Sequence, residues 1–461
     1  MSKMKVPARP SKPAARRSGS FRTYRSALNF LTSATDYERL GRVRYDHTKF
    51  NLARMNRLLS TVGNPHKTLR TVHIAGTKGK GSTAAMLSNM LQGCGLNVGV
   101  YSSPHVLDIR ERIMINDAWV TEQEFVRLIN KVAPAFHNSK GTKPTFFELM
   151  TAMAFLYFAD KEVDIAVIEA GLGGRLDATN VIKPEVCGIT SISFDHVEQL
   201  GNTLEAIAEE KGGILKARTP AVSAPQVPEV TKALRRLAAN LDVPISFAGD
   251  EIEFSYRFES SRAVGPHTRV CLSTQTSRFD HLHVPLLGEH QAINCGLALS
   301  LLDVLKNRGF DIDDQKAIEG LAKVNLPGRM EIIQQDPKIL VDGAHSPASV
   351  AALMRTIGQN IPYDSMIVIF GCQRGKDIEG MIRHVQLGAD KIIFTCSSSP
   401  NAVDPKELAA CYVEQSGNMA QTAVDLDHAL QIAQGAVADD DLICITGSFY
   451  LVGDAKKRFC S

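Results

Sequence analysis

Short apolar runs alternate with amphipathic segments along most of the chain. TVHIAG, VDIAVIEAG and VCGITSIS are nearly continuous apolar runs of strand length, as strands covered on both faces require. STAAMLSNMLQGCG and LEAIAEEKGGILK are longer and carry apolar residues at helical spacing. This alternation of strands and helices predicts an α/β fold with a mainly parallel sheet.

The alternation is interrupted near residues 245–287. There, EIEFSYRFES and RVCLSTQ alternate between apolar and polar residues, which predicts a small β insertion or an extension of the sheet. The strand and helix pattern resumes after LPGR, whose Pro-Gly pair is typical of a domain junction. We therefore predict two α/β domains, the second smaller and Rossmann-like, at residues 21–327 and 328–461.

Composition adds a charged N-terminus to this picture. The chain has 461 residues, with 52 Lys and Arg, 49 Asp and Glu and a formal net charge of +3. Residues 1–25 hold eight of the basic residues and no acidic residue, so the remainder of the chain is mildly acidic. A mildly acidic body argues against a protein that coats nucleic acid. We interpret residues 1–20 as a disordered basic tail; a transit peptide is the alternative.

Cysteine usage and hydropathy indicate the compartment. The nine cysteines are scattered and form no C-x-x-C pair, which fits a reducing environment better than a zinc ribbon or a disulfide framework. No apolar run reaches the length that spans a membrane, and the N-terminus lacks the apolar stretch of a secretory signal. We expect a cytoplasmic protein that binds no membrane.

A glycine-rich segment between a predicted strand and a predicted helix is the first candidate for chemistry. It consists of Gly76, Thr77, Lys78, Gly79, Lys80, Gly81 and Ser82. Backbone N–H groups and a helix N-terminus in such a loop can hold phosphates, and glycines let the backbone curl around an anion. Lys80 would reach the outer phosphates, and a hydroxyl at Ser82 or Thr83 would face magnesium. The alternative is a glycine turn with solvated lysines.

The motifs of the chain occur in a recognisable order. They are GTKGKGS, YSSPHVLDIRERI, EAGLGGRLDATNVI, DHVEQLG, EKGGI, GEHQAIN, LPGR and DGAHSP. From about residue 22 to the end, the series closely resembles folylpolyglutamate synthase and bifunctional dihydrofolate synthase, members of the Mur ligase superfamily. The resemblance implies a P-loop-type ATPase domain followed by the Rossmann-like domain.

The resemblance also implies an activity. It points to an ATP-dependent ligase that adds L-glutamate to tetrahydrofolate and to dihydropteroate through an acyl phosphate, or that performs one of these reactions alone. The implied cofactors are ATP and two Mg²⁺ ions. We expect a monomer whose partners are these small molecules.

Three side chains at the ends of predicted strands are candidate metal ligands. Glu169 ends a buried strand at the edge where α/β sheets bind ligands, and a carboxylate there could hold Mg²⁺. Taken alone, Glu169 could instead cap a turn and His196 could be a polar loop residue. The resemblance implies that Ser103, Glu169 and His196 bind magnesium. It also implies that Lys211 is carbamylated and helps to arrange the second ion, although Gly212 replaces the alanine usual in the family.

The resemblance assigns further residues to the junction of the domains. Arg329, in LPGR, would grip phosphate bidentately when the domains close. Asp342 would contact the nucleotide, and His345 would lie near the phosphates. Ser346 replaces the asparagine usual in the family, so that a shorter hydrogen-bonding group stands at this position.

The remaining candidates lie around the nucleotide and the folate. Asn294 matches an adenine-proximal residue of the family and Gln291 a residue usual at its place; by chemistry alone, both could be polar residues of a first helical turn. The flat pterin ring could stack on Phe146 or Phe147, although both could instead be core aromatics at a helix start. We assign Phe147, and Asp177 of GLGGRLDATN, to the substrate.

Two other functions remain open from the sequence. GLGGRLDATN and the Lys80-Gly81-Ser82 spacing argue against a Mur ligase that builds peptidoglycan precursors. The acidic body and the complete second domain argue against a nucleotide switch anchored by the basic tail. No Ser-His-Asp or Cys-His arrangement stands out, which suits a reaction that depends on positioning and charge neutralisation.

Overall fold

Two mainly parallel sheets flanked by helices, and a separate three-stranded sheet, make up the structure. It is a computed structural model that describes residues 20–36, 50–139, 141–261 and 265–459. The predicted basic tail lies outside the described residues except for Ser20, so its disorder stays a prediction. The predicted α/β class with mainly parallel sheets is confirmed.

The first domain follows the predicted alternation of strands and helices. Its strands are β1 (Thr71–Ala75), β2 (Val98–Tyr101), β3 (Ile113–Ile115), β4 (Ala118–Trp119), β5 (Ile165–Glu169), β6 (Val186–Ile189), β7 (Ala221–Ser223) and β8 (Ile245–Phe247). Its helices are α1 (Tyr24–Thr32), α2 (Leu52–Thr61), α3 (Lys80–Gly93), α4 (Glu122–His137), α5 (Phe146–Asp160), α6 (Val197–Leu200), α7 (Leu204–Gly212), α8 (Pro228–Asn240), α9 (Glu289–Asn307) and α10 (Asp314–Leu321). Short 3-10 helices lie at Pro65–Lys67, Ile109–Arg112 and Ala178–Val181.

The order of strands in the first sheet brings the predicted phosphate loop, the glycine-rich segment at residues 76–82, next to Glu169. The order is β4-β3-β2-β5-β1-β6-β7-β8, and all neighbours from β2 to β8 are parallel, while β3 and β4 pair antiparallel at one edge. Every residue of β1 and β5 is buried, as their apolar runs predict. Because β1 and β5 are parallel neighbours, the loop after β1 and Glu169 at the end of β5 meet at one edge.

Residues 245–287 contain both a small β insertion and a short extension of the main sheet. The insertion consists of β9 (Glu253–Ser261), β10 (Gly265–Ser273) and β11 (Arg278–His283), which form an antiparallel sheet in the order β11-β10-β9. β8, at the start of the predicted insertion, pairs in parallel with β7 and so extends the main sheet. This strand is three residues long and partly exposed at the sheet edge, which makes its apolar pattern too short to recognise.

The second domain contains its own sheet. Its strands are β12 (Glu331–Gln335), β13 (Lys338–Val341), β14 (Met366–Phe370), β15 (Lys391–Phe394), β16 (Gln421–Thr422) and β17 (Leu442–Thr446). Its helices are α11 (Pro347–Asn360), α12 (Ile378–Val385), α13 (Pro405–Ser416), α14 (Leu426–Gln434) and α15 (Phe449–Phe459). The strand order is β12-β13-β17-β14-β15-β16, and only β12 is antiparallel to its neighbour. In the described part of the chain, no helix combines the length and the apolar composition needed to cross a membrane.

A buried ion pair joins α2 to the first turn of α5. Nε of Arg54 lies 2.9 and 2.7 Å from the two carboxylate oxygens of Glu148, and both side chains are 5% exposed. Glu148 also accepts the N–H of Thr145 at 2.8 Å and so completes the cap of α5. The pair therefore fixes the start of the helix that carries Phe146 and Phe147.

Replacing Arg54 by Met tests this anchor. We expect Arg54→Met to lower the free energy of unfolding by about 3 kcal/mol, because it leaves a buried carboxylate without its partner. Denaturant titration measures this loss. Arg458→Met is the matched control, because Arg458 pairs with Asp427 on the exposed surface and should lose less than about 1 kcal/mol. Equal losses in the two variants would contradict the prediction.

Candidate active site

A large cavity opens at the carboxyl edge of the first sheet and faces the second domain. Its volume is about 1380 Å³. The predicted site residues that line it are Thr77, Gly79, Lys80, Gly81, Ser82, Ser103, Phe147, Glu169, Asp177, His196, Lys211, Arg329 and His345. The predicted site residues outside this lining are Gly76, Gln291, Asn294 and Asp342. Elements of both domains therefore build one site.

Two glycines with positive φ shape the phosphate loop. Gly76 has a φ of +147° and Gly79 a φ of +88°. A Cβ atom on Gly79 would lie 2.0 Å from Oδ1 of Asn294, and one on Gly76 would lie 1.8 Å from Oγ1 of Thr190. Neither position can take a side chain unless a buried neighbour moves. These contacts fix the path of the loop from β1 into α3.

Two lysine ammonium groups converge on one backbone carbonyl of this loop. Nζ of Lys80 donates to the Gly76 carbonyl at 3.2 Å, and Nζ of Lys211 donates to it at 2.9 Å. Nζ of Lys80 also lies 4.0 Å from Oε1 of Glu169. Burial, together with the nearby charge of Lys80, lowers the pKa of Lys211 to about 7. A substantial fraction of this amine is therefore unprotonated at neutral pH.

The predicted metal ligands border the cavity beside the phosphate loop. Oε2 of Glu169 accepts the N–H of Ser103 at 3.2 Å, and burial raises the pKa of this carboxyl against the opposing charge of Lys80. Desolvation by the surrounding protein lowers the pKa of His196 to about 4 although its side chain is 44% exposed, and the neutral imidazole can act as a ligand. Carboxylate and hydroxyl oxygens suit Mg²⁺, which completes its coordination with water and phosphate oxygens. The donor set fits this ion, although the described residues contain no group of three or more His, Cys, Asp or Glu that could hold a metal.

The side chains of GLGGRLDATN hold their own loop in place. Oδ2 of Asp177 accepts the N–H groups of Gly171 and Leu172 at 3.0 and 2.9 Å. Nδ2 of Asn180 donates to the carbonyls of Arg175 and Gly213, each at 3.0 Å. The spacing within the block follows from these bonds. Asp177 also lines the cavity, and its contact with substrate stays a prediction.

The structure separates the two aromatic candidates at the start of α5. Phe146 is 2% exposed and packs in the core. Phe147 lines the cavity, and its ring centre lies 5.8 Å from that of Tyr101. It approaches Gly171 so closely that a Cβ atom there would lie 2.5 Å from the ring. Of the two predicted aromatic residues, Phe147 is therefore the one that a substrate in the cavity can contact.

Arg329 and Asp342 lie at the junction of the domains. The Asp342 carboxylate accepts the N–H groups of Met330 and Ala344 at 2.9 and 2.8 Å. The Arg329 guanidinium carbon lies 4.0 Å from the ring centre of Phe449, and burial lowers its pKa against the opposing charge of Asp342. Arg329 faces the cavity and Asp342 supports the turn behind it. A contact of Asp342 with nucleotide stays a prediction.

His345 presents one ring nitrogen to the cavity from the second domain. Its Nδ1 lies 2.8 Å from the Gly343 carbonyl, which can only accept, so Nδ1 carries the proton and Nε2 the lone pair. Burial and nearby lysines hold the pKa of His345 well below its usual range. Ser346 caps α11 by accepting the N–H of Ser349. The serine that replaces the family asparagine therefore has a structural use.

Gln291 and Asn294 support the phosphate loop from behind. Nδ2 of Asn294 donates to Oε1 of Gln291 at 3.0 Å, and both side chains are buried in the first turns of α9. This pair places Asn294 against Gly79. A contact of either residue with adenine stays a prediction.

A charge bridge between the domains escapes sequence reasoning. Oδ2 of Asp195 lies 2.8 Å from Nζ of Lys78, and Oδ1 lies 3.9 Å from Nζ of Lys376 in the second domain. Burial raises the pKa of Asp195, but Lys78, His196 and Lys376 outweigh it and hold this pKa well below its usual range. Lys376 could have been found from its position in the turn after β14, because ligands bind at this edge of a parallel sheet.

Comparison with known proteins identifies the family. Models of the Mur ligase middle domain and of the Mur ligase glutamate ligase domain match residues 74–302 and 328–449. A dihydrofolate synthase/folylpolyglutamate synthase of Bacillus subtilis is 34% identical over 91% of this chain and 96% of its own length. The chain belongs to the folylpolyglutamate synthase family of Mur ligases.

Solved structures agree with membership of the folylpolyglutamate synthase family. The folylpolyglutamate synthase of Mycobacterium tuberculosis complexed with ADP superposes with a TM-score of 0.85 at 30% identity, over 95% of this chain and 98% of that one. FolC of E. coli in complex with DHPP and ADP has a TM-score of 0.82 at 25% identity, over 96% and 99% of the two chains. As a family member, the chain is an ATP-dependent ligase, which confirms the predicted enzyme class.

Two glycine variants test the phosphate loop. Gly79→Ala should weaken ADP binding at least about tenfold, because its Cβ displaces Asn294 or the loop itself. Gly95→Ala is the matched control, since Gly95 lies just beyond the other end of α3 with the same φ of +88° and nothing within 4 Å of an added Cβ. Both variants should lose about 1–2 kcal/mol of stability from the left-handed backbone. Calorimetric titration with ADP separates them, and equal affinities would contradict the prediction.

Proposed function

We propose that the protein adds L-glutamate to folates, both to tetrahydrofolate and its polyglutamates and to dihydropteroate, in reactions driven by ATP. The observation that carries this proposal is a single cavity lined by cationic side chains from both domains, among them Lys80, Lys211, Arg329 and Lys376. The names of similar proteins from Bacillus subtilis and Mycobacterium tuberculosis, both dihydrofolate synthase/folylpolyglutamate synthase, support the choice of substrates. A cytoplasmic monomer that binds only small molecules stays a prediction.

The proposed reaction has two steps. A carboxylate oxygen of the folate attacks the γ-phosphorus of ATP, the bond to ADP breaks and an acyl phosphate forms. The amine of L-glutamate then attacks the acyl carbon, the amide bond forms, phosphate leaves and the amine loses a proton. Neither step needs a protein nucleophile, so catalysis depends on positioning and on charge stabilisation.

Residues of the two domains line the cavity in which the phosphate would react. Lys80 reaches out from the phosphate loop and Arg329 from the domain junction, so the negative charge of the transferred group is stabilised only when both domains face it. The neutral His345 offers the lone pair of Nε2 to the same cavity and can accept a hydrogen bond or a proton there.

The side chains of Glu169, Ser103 and His196 would hold magnesium at this edge of the sheet. Bound Mg²⁺ would neutralise charge on the phosphate oxygens. Two carboxylate oxygens, one hydroxyl and one imidazole leave several positions for water and nucleotide, which matches the coordination that Mg²⁺ prefers. The second ion that the resemblance implies forms part of the proposal together with Lys211.

A carbamate on Lys211 is the finer part of the proposal. CO₂ reacts only with an unprotonated amine: the N–C bond forms, a proton is released and a carboxylate anion results. A Lys211 pKa of about 7 and the position of its Nζ at 2.9 Å from the Gly76 carbonyl support this reaction at the phosphate loop. The modified side chain would add oxygen donors for the second magnesium ion.

Product analysis tests the activity. Incubation with ATP, Mg²⁺, L-glutamate and either dihydropteroate or tetrahydrofolate should yield products heavier by one added glutamate, detected by mass spectrometry. Lys80→Met should lower turnover about 10²–10³-fold, through loss of charge stabilisation on the phosphates. Addition of glutamate to tetrahydrofolate alone would contradict the proposed dihydropteroate activity. ATP hydrolysis that needs neither folate nor glutamate would contradict the proposed ligase reaction.

The carbamate has a pH dependence of defined sign. Because the Lys211 pKa is about 7, raising the pH from about 6 to about 8 increases the unprotonated fraction from about one tenth to about nine tenths. The carbamate signal in NMR with ¹³C-labelled bicarbonate should increase accordingly. Lys211→Met should lose the signal, whereas Lys216→Met, which replaces a lysine bonded to Asn180 instead, should keep it. A signal that persists in Lys211→Met would refute the modification.

A further inference from the structure

A chain of buried hydrogen bonds runs from β1 to the wall of the cavity. Nε2 of His73 lies 2.8 Å from Oγ1 of Thr179, and this hydroxyl donates to Oδ1 of Asp177 at 2.5 Å. Oδ2 of Asp177 accepts the N–H groups of Gly171 and Leu172. His73 and Thr179 are 0% exposed and Asp177 is 4% exposed. The chain is therefore shielded from solvent along its whole length.

The donors and acceptors fix the direction of this chain. The Asp177 carboxylate also accepts the N–H of Thr179 at 3.0 Å, so its two oxygens take four hydrogen bonds. Burial raises the pKa of Asp177, but the four hydrogen bonds that its oxygens accept favour the ionised form. With Asp177 ionised, Thr179 gives its one hydroxyl proton to the carboxylate, so the Thr179 oxygen accepts from His73. His73 thus carries its proton on Nε2, and burial, which lowers its pKa to about 3, keeps the ring neutral.

Packing alone does not explain a histidine at this place. His73 lies in the middle of β1, opposite Ile168 of β5 and Cys187 of β6. Its Nδ1 is buried and has no hydrogen-bond partner among the described residues. An unpaired buried nitrogen lowers stability relative to an apolar side chain. The bond from Nε2 to Thr179 is what this residue adds to the structure.

The turn at Gly171 and Leu172, where the hydrogen-bond chain ends, lies close to three predicted site residues. Gly171 follows Glu169 by two positions in the sequence. A Cβ atom on Gly171 would lie 2.5 Å from the ring of Phe147, and one on Gly174 would lie 2.6 Å from the carbonyl oxygen of Lys211. The contact with Phe147 is the one that faces the cavity, so a shift of this turn acts first on that ring.

We propose that His73 is a positioning residue for the ligase reaction. Through Thr179 and Asp177 it fixes the turn at Gly171 and Leu172, which forms the wall of the cavity beside Phe147. The inference rests on the proposed function, because that function places the folate against this wall. Its effect is on the folate substrate and on turnover rather than on nucleotide binding.

The phosphate loop is held independently of this chain. Gly79 packs on Asn294, and Gly76 packs on Thr190. The N–H of Thr77 donates to the Ser191 carbonyl at 3.0 Å. Loss of the bond between His73 and Thr179 leaves these contacts in place. A variant without this bond should therefore affect folate binding and not nucleotide binding.

Thr179→Val breaks the chain with almost no change in volume. We expect kcat/KM for the folate substrate to fall at least about tenfold, because a shift of the order of an ångström at a reacting centre has such an effect. The Kd for ADP should stay within about twofold of wild type. Thr179→Ser keeps the hydroxyl and should restore activity. Thr71→Val is the matched control, since it removes a buried hydroxyl on β1 for which no described residue is a partner.

Two variants of His73 provide a second line of evidence that does not need Thr179→Val to fold. Gln at this position can place an amide N–H near the location of Nε2, whereas Met has a similar length and no donor. His73→Gln should keep most of the activity, and His73→Met should show the selective loss in kcat/KM for folate. The double variant His73→Met with Thr179→Val should be no worse than Thr179→Val alone, because both changes break one chain.

The outcomes distinguish this inference from the proposed function. A wild-type protein that does not glutamylate folates would overturn the proposed function. An active wild type with a Thr179→Val variant that matches Thr71→Val would overturn the role of the chain. The role also fails if ADP affinity drops as much as kcat/KM for folate, or if His73→Gln and His73→Met behave alike.

Discussion

Repulsion between the buried cations around the Gly76 carbonyl is the constraint on which the site depends. Lys80 and Lys211 both donate to this one oxygen, and like charges at such separations repel strongly where water is excluded. The fold relieves the repulsion by placing Glu169 near Lys80 and Asp195 beside Lys78. Lys211 relieves it further through its lowered pKa. What remains is a positive site that a polyphosphate completes.

This constraint also explains why the site needs two domains. If a single sheet edge carried all of these cations, their mutual repulsion would destabilise the protein before a ligand bound. Here Arg329 and Lys376 come from the second domain, and Asp195 of the first domain lies between Lys78 and Lys376. The carboxylate therefore holds the second domain's charge close to the phosphate loop. Positive potential is concentrated in the cavity, where it would stabilise the transition state of a phosphoryl transfer.

The fold class and the order of the domains could be predicted from the sequence, and most of the predicted site residues line the cavity. β1 and β5 are continuous apolar runs; Glu169 ends β5, and Lys80 follows β1 after a short loop, so their convergence follows from the rule for parallel sheets. β8 escapes prediction because three partly exposed residues carry no clear period. The bridge from Asp195 to Lys376 escapes it because residues far apart along the chain meet only when two domains pack.

The block GLGGRLDATN shows why recognising a motif is not the same as knowing what its residues do. Asp177 and Asn180 are bonded to the backbone of their own loop, so its spacing follows from folding as much as from chemistry. The departure at Gly212 has a similar cause, because a Cβ atom there would lie 2.7 Å from Leu237 on the packed helix α8. Gly212 leaves room for the Leu237 side chain, and Lys211 keeps its place at the phosphate loop. Residues that differ from the family can thus reflect packing, and a residue that matches it, such as Asp177, can be one that holds its own loop.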